Sequence, residues 1–212
     1  MSHHIPKLIS FEGIDFCGKS TQIKLLERKL FDRGYKVVIL RDPGGNPISE
    51  QIRAILLDKA HSKMVQETEV LLYEAARAQM VAEQIIPLLQ ADNFVLLDRF
   101  FDSTTSYQGY GRGIDLDTIR ILNCFATQGI SPAITFFMDI SLDTFHRRQR
   151  RSRFGADRLE SSGTEFFQRV RAGFHEIAEN NTDRVKIISS DGEIPDVADQ
   201  IWGIVQNKFD LI

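Results

Sequence analysis

The run Gly13-Ile14-Asp15-Phe16-Cys17-Gly18-Lys19-Ser20, followed by Thr21, spaces two glycines, a lysine and a hydroxyl as a phosphate-binding loop requires. The feature constrains the fold because such a loop works only where a strand hands over to a helix. Its glycines let backbone N–H groups turn inward onto phosphate oxygens. Lys19 is placed to reach the β- and γ-phosphates and Ser20 to hold Mg²⁺, while the helix that follows aims its positive end at the anion. Both flanks fit. Lys7-Leu8-Ile9-Ser10-Phe11-Glu12 reads as a buried strand, and Lys19 to Phe31 carries apolar residues at helical spacing. A nucleoside triphosphate is expected to lie along Gly13, Ile14, Asp15, Phe16, Cys17, Gly18, Lys19, Ser20 and Thr21.

Further strands are expected at Lys36–Leu40, Phe94–Leu97, Ala133–Met138 and Val185–Ile188. Helices are expected at Ser20–Arg33, Ser49–Leu57, Glu67–Gln90, Asp117–Gln128, Leu142–Arg151, Thr164–Asn180 and Pro195–Lys208. This alternation predicts an α/β fold, a five-stranded parallel sheet flanked by helices with right-handed crossovers. Ligands of such sheets bind at the carboxyl ends of the strands, so the loops leaving each strand matter most. The 212 residues suit one domain, 1–212. With a net charge of −3, nothing draws the whole chain to nucleic acid or to an anionic membrane. Two cysteines, Cys17 and Cys124, make no disulfide framework, and no run suggests a signal peptide or a bilayer span. A cytoplasmic protein is the expectation.

Three strand-exit segments carry candidate chemistry. Arg41-Asp42-Pro43-Gly44-Gly45 follows the second strand, where proline and glycine force a turn and leave Arg41 at the strand end. Asp98-Arg99 closes the third; beside a phosphate-binding loop, Asp98 is placed to order the Mg²⁺ shell and Arg99 to face the phosphates. The run His146-Arg147-Arg148-Gln149-Arg150-Arg151-Ser152-Arg153, with the break Phe154-Gly155-Ala156 behind it, reads as a lid over about 147–160. Its arginines, Arg151 and Arg153 foremost, are expected to stabilise charge on a transferring phosphoryl group. No aromatic platform accompanies them, which argues against nucleic-acid binding.

Taken in order, these segments resemble the thymidylate kinase family. The resemblance spans essentially the whole chain and also draws on Leu72-Tyr73-Glu74-Ala75-Ala76-Arg77, on Ser106-Tyr107-Gln108-Gly109 running to Arg112-Gly113, and on Asp157-Arg158. It implies phosphoryl transfer from ATP, with Mg²⁺, to dTMP for dTTP synthesis, and a homodimer built through the long helices. It implies that Asp15 holds the sugar 3′-hydroxyl and that Arg99 and Arg41 grip the acceptor phosphate. Tyr73 would stack on thymine, Arg77 bond its O4, Thr104 meet N3 and Tyr107 crowd the sugar 2′ position, with Gln108 also contacting dTMP. Catalysis would rest on positioning and charge neutralisation, because the acceptor is already ionised. Lys19, Asp15, Arg99, Arg151 and Arg153 form the expected catalytic set; Ser20 and Asp98 are the expected metal residues. The adenine is expected near Ser189 to Gly192.

Phe16 occupies the loop position where some members carry an arginine, so the chain resembles the type whose catalytic arginine sits in the lid. Many lid-type members have glycine there. Asp42 stands where bacterial members usually have glutamate; being one methylene shorter, it is expected to lose, or bridge through water, a contact to metal or Arg99. A kinase for another (deoxy)pyrimidine monophosphate and a non-catalytic P-loop regulator remain open alternatives at this point.

Overall fold

Five parallel strands lie in the order β2-β3-β1-β4-β5, with β1 Leu8–Glu12, β2 Val37–Arg41, β3 Phe94–Asp98, β4 Ile134–Asp139 and β5 Val185–Ser189. The computed structural model describes residues 6–151, 158 and 163–211. Every strand expected from the sequence is present to within about two residues. The central β1 is buried along its whole length, which its near-continuous apolar sequence requires of a strand covered on both faces. Period-two alternation divides the core. Ile9 and Phe11 of β1 and Phe94 and Leu96 of β3 face one side, while Leu8, Val95 and Leu97 face the other.

Helices α1 (Lys19–Phe31), α8 (Thr164–Asn180) and α9 (Ile194–Phe209) contribute to the first layer. Helix α3 (Gln66–Met80) continues through a π-turn, Val81–Ile85, into α4 (Ile86–Gln90), and this arm covers the second face through Met80, Val81 and Ile85. The sequence read that arm as one helix. Short α2 (Pro47–Leu57) packs on α3 and starts under an Asn46 cap, whose side chain accepts the Ser49 amide, with Pro47 at the first position. Helix α6 (Leu116–Thr127) is capped in the same way by Asp115.

The sequence reading did not contain the helical segment Phe101–Thr104 (α5), extended by π-helix over Thr105–Gly111. Its Ser, Thr and Gly residues are poor helix formers. Tertiary contact holds it: Ser106 Oγ donates to the Val170 carbonyl of α8 at 2.6 Å, and Gly111 and Gly173 let α8 approach closely. Helix α7 (Leu142–Arg151) carries the arginine run as far as Arg151. Arg153 and most of the expected lid segment lie outside the described residues. Among the described residues, no helix is long and apolar enough to cross a membrane.

Candidate active site

β1 ends at the phosphate-binding loop, and the loop's geometry explains its glycines. Gly13 has φ 132°, and a Cβ there would meet the Met138 carbonyl of β4 at 2.5 Å. Gly18, at φ 94°, turns the chain into α1. Lys19 folds back over the loop and donates to the carbonyls of Gly13 and Ile14, both at 3.1 Å, with Cys17 Sγ at 3.5 Å. Ile14 and Cys17 are buried beneath the loop. Asp15, Phe16, Gly18, Lys19, Ser20 and Thr21 line the cavity above it. Ser20 Oγ donates to Asp98 Oδ2 at 2.9 Å, so β3 brings its terminal carboxylate to the start of α1. A hydroxyl and a carboxylate oxygen side by side are hard donors of the kind Mg²⁺ takes alongside phosphate and water oxygens.

Arg99 is the hub. It has φ 71°, a left-handed backbone that costs a side-chain-bearing residue roughly 1–2 kcal/mol. From there its guanidinium returns to the loop: Nη1 donates to Gly13 O at 2.7 Å and to Ser103 Oγ at 3.2 Å, and Nη2 to Asp15 Oδ1 at 2.6 Å and to Tyr107 Oη at 3.3 Å. The same group lies 5.1 Å from the centre of the Tyr107 ring. Burial alone would raise the Asp15 carboxyl, but the charges of Arg99 and Lys19 outweigh it and hold the group below its ordinary range.

A second cavity opens behind Arg99, lined by Asp15, Arg53, Tyr73, Arg77, Tyr107 and Gln108 among others. Arg77, on α3 one turn after Tyr73, is 1% exposed and almost saturated. Its Nε donates to Asp42 Oδ2 at 2.6 Å, Nη1 to Glu74 Oε1 at 2.5 Å and to Asn123 Oδ1 at 3.0 Å, and Nη2 to Thr104 Oγ1 at 2.8 Å. Burial raises both the Asp42 and the Glu74 carboxyls, while their charges raise Arg77. Asp42 thus makes a direct ion pair with Arg77, where the sequence reading put a lost or water-bridged contact to Arg99 or metal. Thr104 is buried behind Arg77 and acts on the cavity through it. Gln108 lines the cavity and donates to the buried Glu69 at 2.9 Å. Arg41 borders the loop cavity and is paired with Glu50 at 2.9 Å.

Two residues escaped the sequence reading, and a third, Arg148, stands in the arginine run without being singled out there. Arg53 lines both cavities and donates to Pro43 O at 3.0 Å. Ser103 lines the second. Arg148 of α7 reaches the loop cavity, donating to Phe16 O at 2.9 Å and to Ser190 O at 3.0 Å, so it joins the loop to the segment after β5. The Phe16 ring, on a left-handed backbone of φ 62°, packs 5.9 Å from Phe145 of α7. Arg151 closes α7 in an exposed position. The arginine run already contained Arg148; its place one turn before Arg151 on α7 is what sets it toward the loop.

Residues 11–201 match the family model described as thymidylate kinase. The chain is 47% identical over 191 residues to the thymidylate kinase of Chlorobaculum parvum, covering 86% of this chain and 88% of that one. It is 47% identical over 186 residues to the thymidylate kinase of Geotalea daltonii, covering 85% and 87%. A crystal structure of thymidylate kinase from Ehrlichia chaffeensis superposes with a TM-score of 0.77 at 33% identity, covering 94% of this chain and 97% of that one.

Proposed function

This chain belongs to the thymidylate kinase family and phosphorylates dTMP to dTDP at the expense of ATP; from that premise we propose how its residues divide the work. The observation that carries the proposal is the meeting of the two cavities. Asp15, Asp42, Arg53 and Arg99 line both, so an acceptor phosphate gripped at Arg99 would lie end to end with a triphosphate on the loop. An ionised oxygen of the dTMP phosphate attacks the γ-phosphorus, the bond to the β–γ bridging oxygen breaks, and ADP leaves. No proton has to be removed from the acceptor, so the residues act by position and charge.

Arg99, Arg53 and Arg41 hold the acceptor phosphate, and Asp15 accepts the sugar 3′-hydroxyl. Tyr73 stacks on thymine, and Arg77, fixed by Thr104 and the two carboxylates, offers its remaining N–H to a thymine carbonyl. Tyr107 with Gln108 crowds the 2′ position. On the donor side the loop amides and Lys19 take the triphosphate with Arg148 alongside, and Arg151 and Arg153 serve the transferring group. Ser20 and Asp98 would hold Mg²⁺, which neutralises phosphate charge when bound.

Arg99→Ala is expected to lower kcat/KM for dTMP by about 10³-fold while KM for ATP stays within a few-fold. Steady-state kinetics with each substrate varied checks this, and unchanged dTMP kinetics would remove Arg99 from the acceptor site.

The functional unit we propose is a homodimer. Helices α2, α3 and α6 pack side by side and leave Ile48, Ile55, Leu71, Ile121 and Phe125 exposed, Phe125 at 82%. Large exposed apolar side chains on three neighbouring helices favour being covered, and a second copy offers the same helices in return. Sedimentation is expected to give twice the chain mass, and Phe125→Glu is expected to shift it toward the monomer. A monomeric parent protein would sink the dimer.

A further inference from the structure

A buried carboxylate that the transfer chemistry leaves unused lies directly beneath Arg99. Glu12 closes β1, is fully shielded from solvent, and faces the exit of β3. The Phe100 N–H donates to Glu12 Oε1 at 2.7 Å and Ser103 Oγ to Oε2 at 2.5 Å. One residue earlier, the Phe11 carbonyl takes the amide of Arg99 itself at 3.0 Å. The last two residues of β1 therefore bind the amides on both sides of the left-handed Arg99 backbone. That conformation is disfavoured for any residue with a side chain and persists only where its surroundings over-determine it. Freed of the bonds, Arg99 would relax to an ordinary conformation and its side chain would leave the line from Cα to Asp15.

Ser103 extends the hold to the side chain, since its hydroxyl meets both Glu12 and Arg99 Nη1. The charged groups that act on Glu12 are Asp102 and Arg99, and Asp102 is itself paired with Arg184. No cation forms an ion pair with Glu12 among the described residues. Burying an ionisable group without one is costly, and an apolar residue would close a buried strand more cheaply.

We propose that Glu12 is a positioning residue for phosphoryl transfer: it locks Arg99 in the strained backbone that aims its guanidinium at the acceptor phosphate, and touches neither substrate. The proposal rests on the assignment of Arg99 to the acceptor phosphate. Burial pushes the Glu12 carboxyl up to about 8, with Asp102 adding to the rise against Ser103, Arg99 and the Phe100 amide. A neutral amide at this position can therefore make the same two bonds, its oxygen accepting from Phe100 and its NH₂ donating to Ser103.

The test is steady-state kinetics of Glu12→Gln, Glu12→Ala and Arg99→Ala, each substrate varied at saturating partner. Glu12→Ala is expected to lower kcat/KM for dTMP about 10- to 100-fold, with KM for ATP within about twofold. Glu12→Gln is expected to restore dTMP kinetics to within about threefold of the parent. If Glu12→Ala does not fold, Glu12→Leu takes its place, since it fills the volume and lacks both acceptors. A folded Ala or Leu variant with parental dTMP kinetics would overturn the proposal, as would equal damage to both substrates or a Gln variant as poor as Ala. Parental dTMP kinetics in Arg99→Ala would overturn the Arg99 assignment and the proposal with it. A defective Arg99→Ala beside an unimpaired Glu12→Ala or Glu12→Leu would overturn the proposal alone.

Discussion

Lys19→Met is expected to cut phosphoryl transfer by at least about 10³-fold and to leave the fold intact. The ammonium donates to the carbonyls of Gly13 and Ile14, neutral acceptors that phosphate oxygens can replace. It is 7% exposed and makes no ion pair among the described residues, so an unbranched methionine can occupy its path without stranding a buried charge. The rate falls because a charge aimed at the transferring group in a partly desolvated cleft is worth far more than the same charge in water. Single-turnover kinetics together with a thermal melt separates the two halves of the expectation. Near-parental turnover would remove Lys19, and the loop with it, from the reaction.

Arg77→Ala is expected to damage stability as well as acceptor binding. The guanidinium is the shared partner of two buried carboxylates, Asp42 and Glu74. Its removal leaves both in the interior without a cation, a loss of about 3–5 kcal/mol. For a chain of this length that corresponds to a fall of roughly 10 °C in melting temperature. Both carboxyls are already raised by burial, so in the variant they are expected to take up protons rather than remain charged. Adding Asp42→Asn and Glu74→Gln to the variant is expected to recover much of the stability and none of the dTMP affinity. An unchanged melting temperature in Arg77→Ala would show that the buried triad does not support the fold.

The sheet and the phosphate-binding loop were legible because their physics is local. Apolar runs such as Phe94–Leu97 are too short for helices and alternate with helical patterns, so they read as buried strands, and the glycine spacing states its backbone geometry residue by residue. Asp98 was legible from its place at a strand end. What could not be read depends on which side chains meet across the sheet. Asp42 was placed near Arg99 from its neighbours in sequence, yet its oxygen pairs with Arg77, 35 positions away. Arg53 and Ser103 belong to no spaced motif and enter the site only through the packing of α2 and α5, while the arginine run holds Arg148 but does not say that it, among its neighbours, meets the loop. The helix carrying Ser103 and Tyr107 was invisible because its own residues disfavour it and α8 enforces it. Glu12 read as the end of a strand; only the left-handed turn at Arg99, unseen in sequence, gives its carboxylate a task.

The most direct test of the central claim is ADP release with ATP and Mg²⁺ against dTMP, dUMP, UMP, dCMP, AMP and GMP. Fast turnover with dTMP is expected, with dUMP trailing, because a pocket for one methyl group discriminates only by about 10- to 200-fold. The ribonucleotide UMP is expected to be slower still, the 2′ position lying against Tyr107. Turnover centred on another monophosphate would contradict the assignments of Tyr73, Arg77 and Tyr107. No turnover with any acceptor, despite ATP binding, would contradict the enzyme itself.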